Sequence, residues 1–211
     1  MTWPVVLFDL DGTITDPAPG ITRCIAHALA AVDVPVPPHD VLLDLIGPPF
    51  HEGFVEVGVA PHRFDEALAA YRSVYTTGGM FECTITPGLP ELFDRMLAAG
   101  VRLGVATSKP TVLARQVLDH FGQTDRFEVI SGSELDGTNV RKEAVVGIAL
   151  EQLAATDAVL VGDRSHDVIG ARVHGLPCIG VRWGYAREGE LEALDPHAIV
   201  STISELESAL R

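Results

Sequence analysis

The sequence predicts an α/β fold: a three-layer, doubly wound parallel sheet with a Rossmann-like core and an inserted helical cap domain. Two observations predict it. From residue 84 onward, short apolar runs alternate with segments of helical period, as in a parallel sheet covered on both faces. Residues 17–80 instead show helical segments and no period-two alternation. We therefore assign residues 1–15 and 84–211 to the core domain and residues 16–83 to the cap domain, although this block can also be a helical subdomain that only packs.

The first predicted strand, residues 5–8, runs directly into a pair of carboxylates. Asp9 lies at the carboxyl end of this buried strand, where open α/β sheets bind ligands. Asp11 follows two residues later, and Gly12 allows a sharp turn. Carboxylates this close repel each other unless a cation lies between them, and Mg²⁺ prefers carboxylate and backbone oxygens. The stretch therefore predicts a metal site; the alternative is a surface turn, because Asp-Gly is a common turn pair.

The segment assigned to the cap is predicted to contain four helices. A turn cluster at residues 16–20 precedes them, and Gly47-Pro48-Pro49 interrupts the series between the second and the third. The helical segments are residues 21–32, 39–46, 50–57 and 61–76.

The core then alternates between helices and strands. Its predicted helices are residues 89–99, 111–121, 142–153, 166–174 and 202–210. Its predicted strands are residues 101–106, 127–130, 158–161, 178–181 and 199–200.

Hydroxyl groups and two rare lysines stand out in this region. Thr107 and Ser108 follow a strand and precede a helix that Pro110 can open, so their hydroxyl and N–H groups can hold phosphate oxygens. The alternative is an ordinary helix N-cap. The chain contains only two lysines, Lys109 and Lys142. Lys142 lies at a helix start, an unfavourable position for a cation, and this misfit suggests a functional role. Lys109 is the alternative for this role, since it can reach the same region from the segment that follows Thr107.

Together these stretches resemble the four motifs of the haloacid dehalogenase-like (HAD) superfamily. The matches are Asp9, Asp11 and Thr13 for Asp-x-Asp-x-Thr, Thr107 after its strand, Lys142 near a helix start, and Asp163 and Asp167 in Gly-Asp-x-x-x-Asp. They occur in the family's order over essentially the whole chain. With a helical insertion after the first motif, the chain is most similar to phosphoglycolate phosphatase-like members.

The resemblance implies a Mg²⁺-dependent phosphatase that hydrolyses a small-molecule phosphate monoester through an aspartyl-phosphate intermediate. Asp9 would be the nucleophile, and Asp11 would be the general acid and then the base. Thr107, Ser108 and Lys142 would hold the transferring phosphoryl group. The implied metal ligands are Asp9, Asp11 through its carbonyl, Asp163, and Asp167 either through water or by orienting Lys142.

The resemblance also implies that the cap selects the substrate. The candidate substrate residues are Thr13, Arg23, Gly47, His51 and Lys109. Arg23 on the first cap helix carries a fork able to bind a carboxylate or a second phosphate, or it simply lies on a solvated helix face. The 47–51 loop contains prolines that fix its backbone, which suits a loop that presents side chains.

Several other functions share these motifs. A phosphomutase of the β-phosphoglucomutase type shares all four motifs and remains an alternative. A 5'-nucleotidase is another, because residues 141–144 read Arg-Lys-Glu-Ala where phosphoglycolate phosphatases often have Lys-Pro-x-Pro, which leaves the substrate type open. A haloacid dehalogenase needs no acid at position 11, so Asp11 argues against it. The intact Asp9, Lys142 and Asp163 argue against a non-catalytic binding protein.

Composition limits the partners. The formal net charge of −14 predicts repulsion from nucleic acids and from anionic membrane surfaces, so we expect a small phosphorylated metabolite as the partner of a monomer or homodimer. The three cysteines are widely spaced and no CxxC pair occurs, as expected for reduced thiols. No signal-peptide pattern and no long apolar run is evident, and we expect a cytoplasmic protein.

Overall fold

A computed structural model describes residues 2–48 and 50–211. Contacts divide the chain into two compact units, Met1–Asp16 with Ile85–Arg211 and Pro17–Thr84. These boundaries differ by one residue from those assigned to the core and cap, and the assignment of two domains stays a prediction.

The first unit contains a six-stranded sheet. The strands of the chain are β1 (Val5–Phe8), β2 (Thr15–Asp16), β3 (Thr84–Ile85), β4 (Arg102–Pro110), β5 (Val129–Ser133), β6 (Val159–Gly162), β7 (Cys178–Val181) and β8 (Ala198–Val200). The sheet order is β5-β4-β1-β6-β7-β8, and every neighbouring pair is parallel. The prediction of a parallel α/β sheet is confirmed. The order reverses at β1, the position at which such sheets bind ligands.

Helices of the first unit flank this sheet. The helices of the chain are α1 (Ala18–Ala31), α2 (His39–Asp44), α3 (Phe50–Glu56), α4 (Phe64–Tyr75), α5 (Leu89–Ala98), α6 (Thr111–His120), α7 (Lys142–Leu153), α8 (Ser165–Val173) and α9 (Ile203–Ala209). Successive side chains of β1 point to opposite faces. Leu7 is buried in a cluster with Val145 and Val146 of α7, whereas the Phe8 ring packs at 5.1 Å against Phe93 of α5. Apolar helices therefore cover β1 from both sides.

The structure differs from the prediction at the end of β4. The apolar run predicted a strand ending at residue 106, but the strand continues to Pro110, which pairs with Ser133 after an irregularity. The Ser133 hydroxyl also donates to the Ser108 carbonyl at 2.8 Å. These contacts with β5 hold Thr107 and Ser108 in the sheet rather than in a free loop.

The second unit is helical. Ile25 and Leu29 of α1 are fully buried, and the Tyr71 ring of α4 packs against Phe50 at 4.3 Å. The predicted helix at 61–76 separates into a 3₁₀ turn, Pro61–Arg63, and α4.

Two further points concern the proline-containing loop and the length of the helices. Pro49, part of the proline-containing loop predicted at 47–51, lies outside the described residues. Among the residues that are described, the longest apolar helices fall short of what a membrane span requires.

Candidate active site

Three buried carboxylates meet at the carboxyl edge of the sheet. Asp9 follows β1, Asp163 follows β6, and Asp167 lies in the first turn of α8. Because β1 and β6 are parallel neighbours, their carboxyl ends lie side by side. The ligand atoms of the three residues all lie within 4.8 Å of one another. The structure thus brings together three residues that the sequence separates by up to 158 positions.

Lys142 is the counter-ion of this cluster. Its Nζ lies 2.8 Å from Asp9 Oδ1 and 2.9 Å from Asp167 Oδ1, and it donates to the Ala106 carbonyl at 3.1 Å. Burial by itself lowers the pKa of this ammonium, but attraction to Asp167 and Asp9 outweighs burial and raises it. Lys142 therefore stays charged at neutral pH, and its unfavourable helix-start position is compensated by two carboxylates.

The buried carboxyl groups of this cluster outnumber its lysine. Burial raises the pKa of Asp163 well above its usual value, and the neighbouring Asp167 and Asp9 raise it further. Burial also raises the pKa of Asp167, although Lys142 opposes this shift. Lys142 contacts Asp9 and Asp167, whereas the third carboxyl, Asp163, accepts hydrogen bonds from the uncharged Thr13 hydroxyl and Tyr185 amide, so the cluster can accept a further cation. Its buried carboxylate oxygens are ligands that Mg²⁺ and Ca²⁺ prefer, and the cluster can therefore hold a divalent cation.

Glycines allow these side chains to approach so closely. A Cβ on Gly162 would lie 2.1 Å from the Asp167 Cγ, and a Cβ on Gly170 would lie 2.6 Å from the Lys142 Cγ. Any larger residue at either position would displace the carboxylate or the lysine from the cluster.

Asp11 and Lys109 form a second ion pair near the first. Lys109 Nζ contacts both carboxylate oxygens of Asp11, with 2.6 Å to Oδ1. The side chains of Lys109 and Asp11 are 5% and 14% exposed, so the pair is largely shielded from water. Thr107 is buried, and its hydroxyl accepts a hydrogen bond from the Lys109 amide at 3.3 Å. Lys109, predicted to contact the substrate, thus contacts Asp11 in this structure.

Thr13 also lies in this region, whereas the cap candidates belong to the second unit. Thr13 is fully buried, and its hydroxyl donates to Asp163 Oδ1 at 3.3 Å. In the second unit, Arg23 donates two hydrogen bonds to Glu82, at 2.8 and 2.6 Å. The exposed His51 ring packs against Phe64 at 4.9 Å. The role predicted for Arg23 requires its guanidinium to leave Glu82 or to bind the substrate together with it.

Gly47, the remaining cap candidate, has a φ of 104°. This backbone conformation favours glycine, so a turn alone accounts for the residue type at this position. Its contact with a substrate stays a prediction.

The loop after β7 contains site residues that sequence reasoning missed. The Tyr185 amide donates to Asp163 Oδ2 at 2.8 Å, and Trp183 Nε1 donates to the Thr13 carbonyl at 3.1 Å. Glu190 accepts from Arg164 Nε at 3.0 Å. The signal was present, since Trp-Gly-Tyr follows the carboxyl end of a parallel strand, where ligands bind.

Comparisons with known proteins identify the family of this chain. Residues 6–181 match the family model described as haloacid dehalogenase-like hydrolase. A 5'-nucleotidase of Pseudomonas aeruginosa is 40% identical over 100% of this chain and 96% of its own length. The tyrosine-protein kinase PtkA of Mycobacterium tuberculosis is 41% identical over 98% of this chain and 72% of its own length.

A solved structure supports the same family. The crystal structure of a predicted phosphatase from Clostridium acetobutylicum superposes with a TM-score of 0.94 at 38% identity, covering 100% of this chain and 99% of the other. The parallel sheet and these relatives point to the same family. The chain belongs to the haloacid dehalogenase-like hydrolase family and is a phosphoric monoester hydrolase of that family.

Proposed function

We propose that this enzyme is a Mg²⁺-dependent phosphatase that hydrolyses a small phosphorylated metabolite through an aspartyl-phosphate at Asp9. One observation carries the proposal: a buried carboxylate at the end of β1 lies against a charged lysine and close to two further carboxylates. Asp9 Oδ1 accepts hydrogen bonds from the Leu10 amide at 2.7 Å and from Lys142. These donors fix the side chain so that its other oxygen can attack.

In the first half-reaction, the Asp9 oxygen forms a bond to phosphorus while the bond from phosphorus to the ester oxygen breaks. Asp11, protonated in this step and separated from the Lys109 ammonium that it contacts in the structure, gives its proton to the departing alkoxide, which leaves as an alcohol. In the second half-reaction, Asp11 takes a proton from water, and the resulting hydroxide attacks phosphorus. The bond between Asp9 and phosphorus breaks, inorganic phosphate is released, and both carboxyl groups return to their starting states.

Charge neutralisation is the main requirement of phosphoryl transfer. We assign Lys142, Thr107 and the Ser108 amide to the oxygens of the phosphoryl group. Asp9, Asp163 and the Asp11 carbonyl would hold Mg²⁺, with Asp167 acting through Lys142 or through water. When bound, the cation neutralises charge on the transferring group and on the carboxylates around it. The excess of buried carboxylates over lysine supports this assignment.

Nucleoside 5'-monophosphates are the first substrate class to test, because the Pseudomonas aeruginosa relative named 5'-nucleotidase aligns over all of this chain. Phosphoglycolate is the other substrate to test, because the chain, with its helical insertion after the first motif, resembles phosphoglycolate phosphatase-like members of the family. The motif residues contact only the phosphoryl group, so the choice between these esters falls to the cap candidates Arg23, Gly47 and His51.

The test is a panel of nucleotides, phosphoglycolate, sugar phosphates and an aryl phosphate, assayed for phosphate release with Mg²⁺ and with EDTA. We expect turnover that EDTA abolishes. Asp9→Asn should fold and lose at least about 10²–10⁴-fold in rate. Near-normal phosphate release by this variant would contradict the nucleophile assignment. Phosphoryl transfer to a sugar or protein hydroxyl without release of phosphate would instead favour a phosphomutase or the kinase activity for which PtkA is named.

A further inference from the structure

The segment Trp183–Glu190, here called the 183–190 loop, contacts the carboxylate cluster although none of the sequence motifs includes it. It follows β7, whose last residue is Val181. The loop reaches the site at three points: the Thr13 carbonyl, the Asp163 side chain and the start of α8. A segment with three such anchors can fix the relative positions of the strand ends.

The central contact is with Asp163, which is fully buried. The Tyr185 amide donates to Oδ2 at 2.8 Å, and the Thr13 hydroxyl donates to Oδ1 at 3.3 Å. Each carboxylate oxygen can accept more than one interaction, so both oxygens keep capacity for a cation while their orientation is set by the two donors.

Glycine is required for this approach. A Cβ on Gly184 would lie 2.3 Å from both the Cβ and the Oδ2 of Asp163. Gly12, from the first motif, lies equally close to the same oxygen, because a Cβ added to Gly12 would lie 2.2 Å from Asp163 Oδ2. Backbone from two separate segments thus confines one carboxylate. Gly184 is not among the glycines with left-handed φ, so space alone excludes a side chain there.

The other two anchors hold the loop itself. Trp183 Nε1 donates to the Thr13 carbonyl at 3.1 Å. Glu190 Oε1 accepts from the Ser165 amide at 2.7 Å and from Arg164 Nε at 3.0 Å. These bonds connect the loop to Thr13 in the first motif and to Arg164 and Ser165 at the start of α8. The loop cannot shift without breaking buried or half-buried hydrogen bonds.

We propose that the 183–190 loop is a positioning element of the cation site, in which Gly184 and the Tyr185 amide hold the Asp163 carboxylate in the orientation that binds the metal. This inference rests on the proposed function, because it assumes that Asp163 is a ligand of the cation. Because the loop contacts the Asp163 side chain directly, we expect its effect to be on metal affinity.

The experiment is isothermal titration of Mg²⁺ into the substrate-free protein. Gly184→Ala should raise the dissociation constant by about 10–100-fold, the usual effect of disturbing a partner of a metal ligand. Saturating Mg²⁺ should restore much of the lost phosphatase activity. The matched control is Gly53→Ala in α3, where the nearest atom to the added methyl is the Cδ2 at the end of the Leu45 side chain, at 3.2 Å. Its dissociation constant should stay within about twofold of the parent value.

A measurement on the unaltered protein covers the case in which Gly184→Ala does not fold. In amide NMR spectra, the Tyr185 signal should shift during the Mg²⁺ titration with the midpoint found by calorimetry. A folded Gly184→Ala protein with unchanged Mg²⁺ affinity overturns the inference. A Tyr185 amide signal that does not shift when Mg²⁺ binds also overturns it. If the unaltered protein binds no Mg²⁺ or hydrolyses no ester, the proposed function fails instead.

Discussion

Replacing Lys142 by methionine tests the electrostatic account of the site directly. The substitution keeps most of the side-chain volume and removes the charge. Lys142 is 4% exposed, and its carboxylate partners Asp9 and Asp167 have side chains that are 8% and 0% exposed. Removing one member of a buried ion pair costs about 3–5 kcal/mol, because the remaining charge has neither water nor a partner. We expect a loss of this size in the free energy of unfolding.

The other lysine provides the matched control. Lys109→Met also removes a carboxylate's partner, but Asp11 is 14% exposed and water can replace the lost contact. We expect a loss of only about 1–2 kcal/mol for this variant.

The assay is urea unfolding at neutral pH with EDTA, monitored by circular dichroism. The slope of the unfolding free energy against urea concentration should be equal among the variants, which checks that they unfold alike. Mg²⁺ at about 100 times its dissociation constant should return up to about 2.7 kcal/mol, because it binds only the folded site. If Lys142→Met loses no more stability than Lys109→Met in EDTA, the cluster is not held together by Lys142 and our reasoning is wrong.

Three further predictions concern Asp163, Glu190 and Arg23. Asp163→Ala should raise the Mg²⁺ concentration needed for half-maximal phosphatase activity by more than about tenfold, and an unchanged titration would make Asp163 a structural residue. Burial raises the pKa of Glu190, but hydrogen bonds from the Ser165 amide, Arg164 and the Arg187 amide outweigh burial and lower it from 4.5 to about 2. The charged form therefore stabilises the fold above pH 4.5, and this contribution is lost as the pH falls through about 2. Glu190→Gln should accordingly be less stable than the parent by about 1–3 kcal/mol at neutral pH, with a difference in acid unfolding experiments that shrinks below pH 4.5. Arg23→Ala should change relative kcat/KM among natural esters by about 1–3 kcal/mol and leave an aryl phosphate nearly unaffected, and an unchanged ranking would limit Arg23 to its contact with Glu82.

The sequence by itself determined the sheet and the strand ends that carry the chemistry. An apolar run that ends in an aspartate places that carboxylate at the edge of a parallel sheet, because a strand covered on both faces stays apolar up to its end and ligands bind beyond its carboxyl end. Asp9 and Asp163 follow from this local rule. The helix predicted at 142–153 has the same bounds as α7, which places Lys142 at a helix start.

Only the tertiary structure decided which groups contact each other. Lys109 and Asp11 are 98 residues apart, Arg23 and Glu82 are 59 apart, and Tyr185 and Asp163 are 22 apart. Spacing along the chain carries no information about such pairs, because packing of separate elements brings them together and charge or hydrogen bonding then selects the partner. For the same reason, the sequence suggested Lys109 and Arg23 as free cations for a substrate, whereas in the structure each contacts a carboxylate.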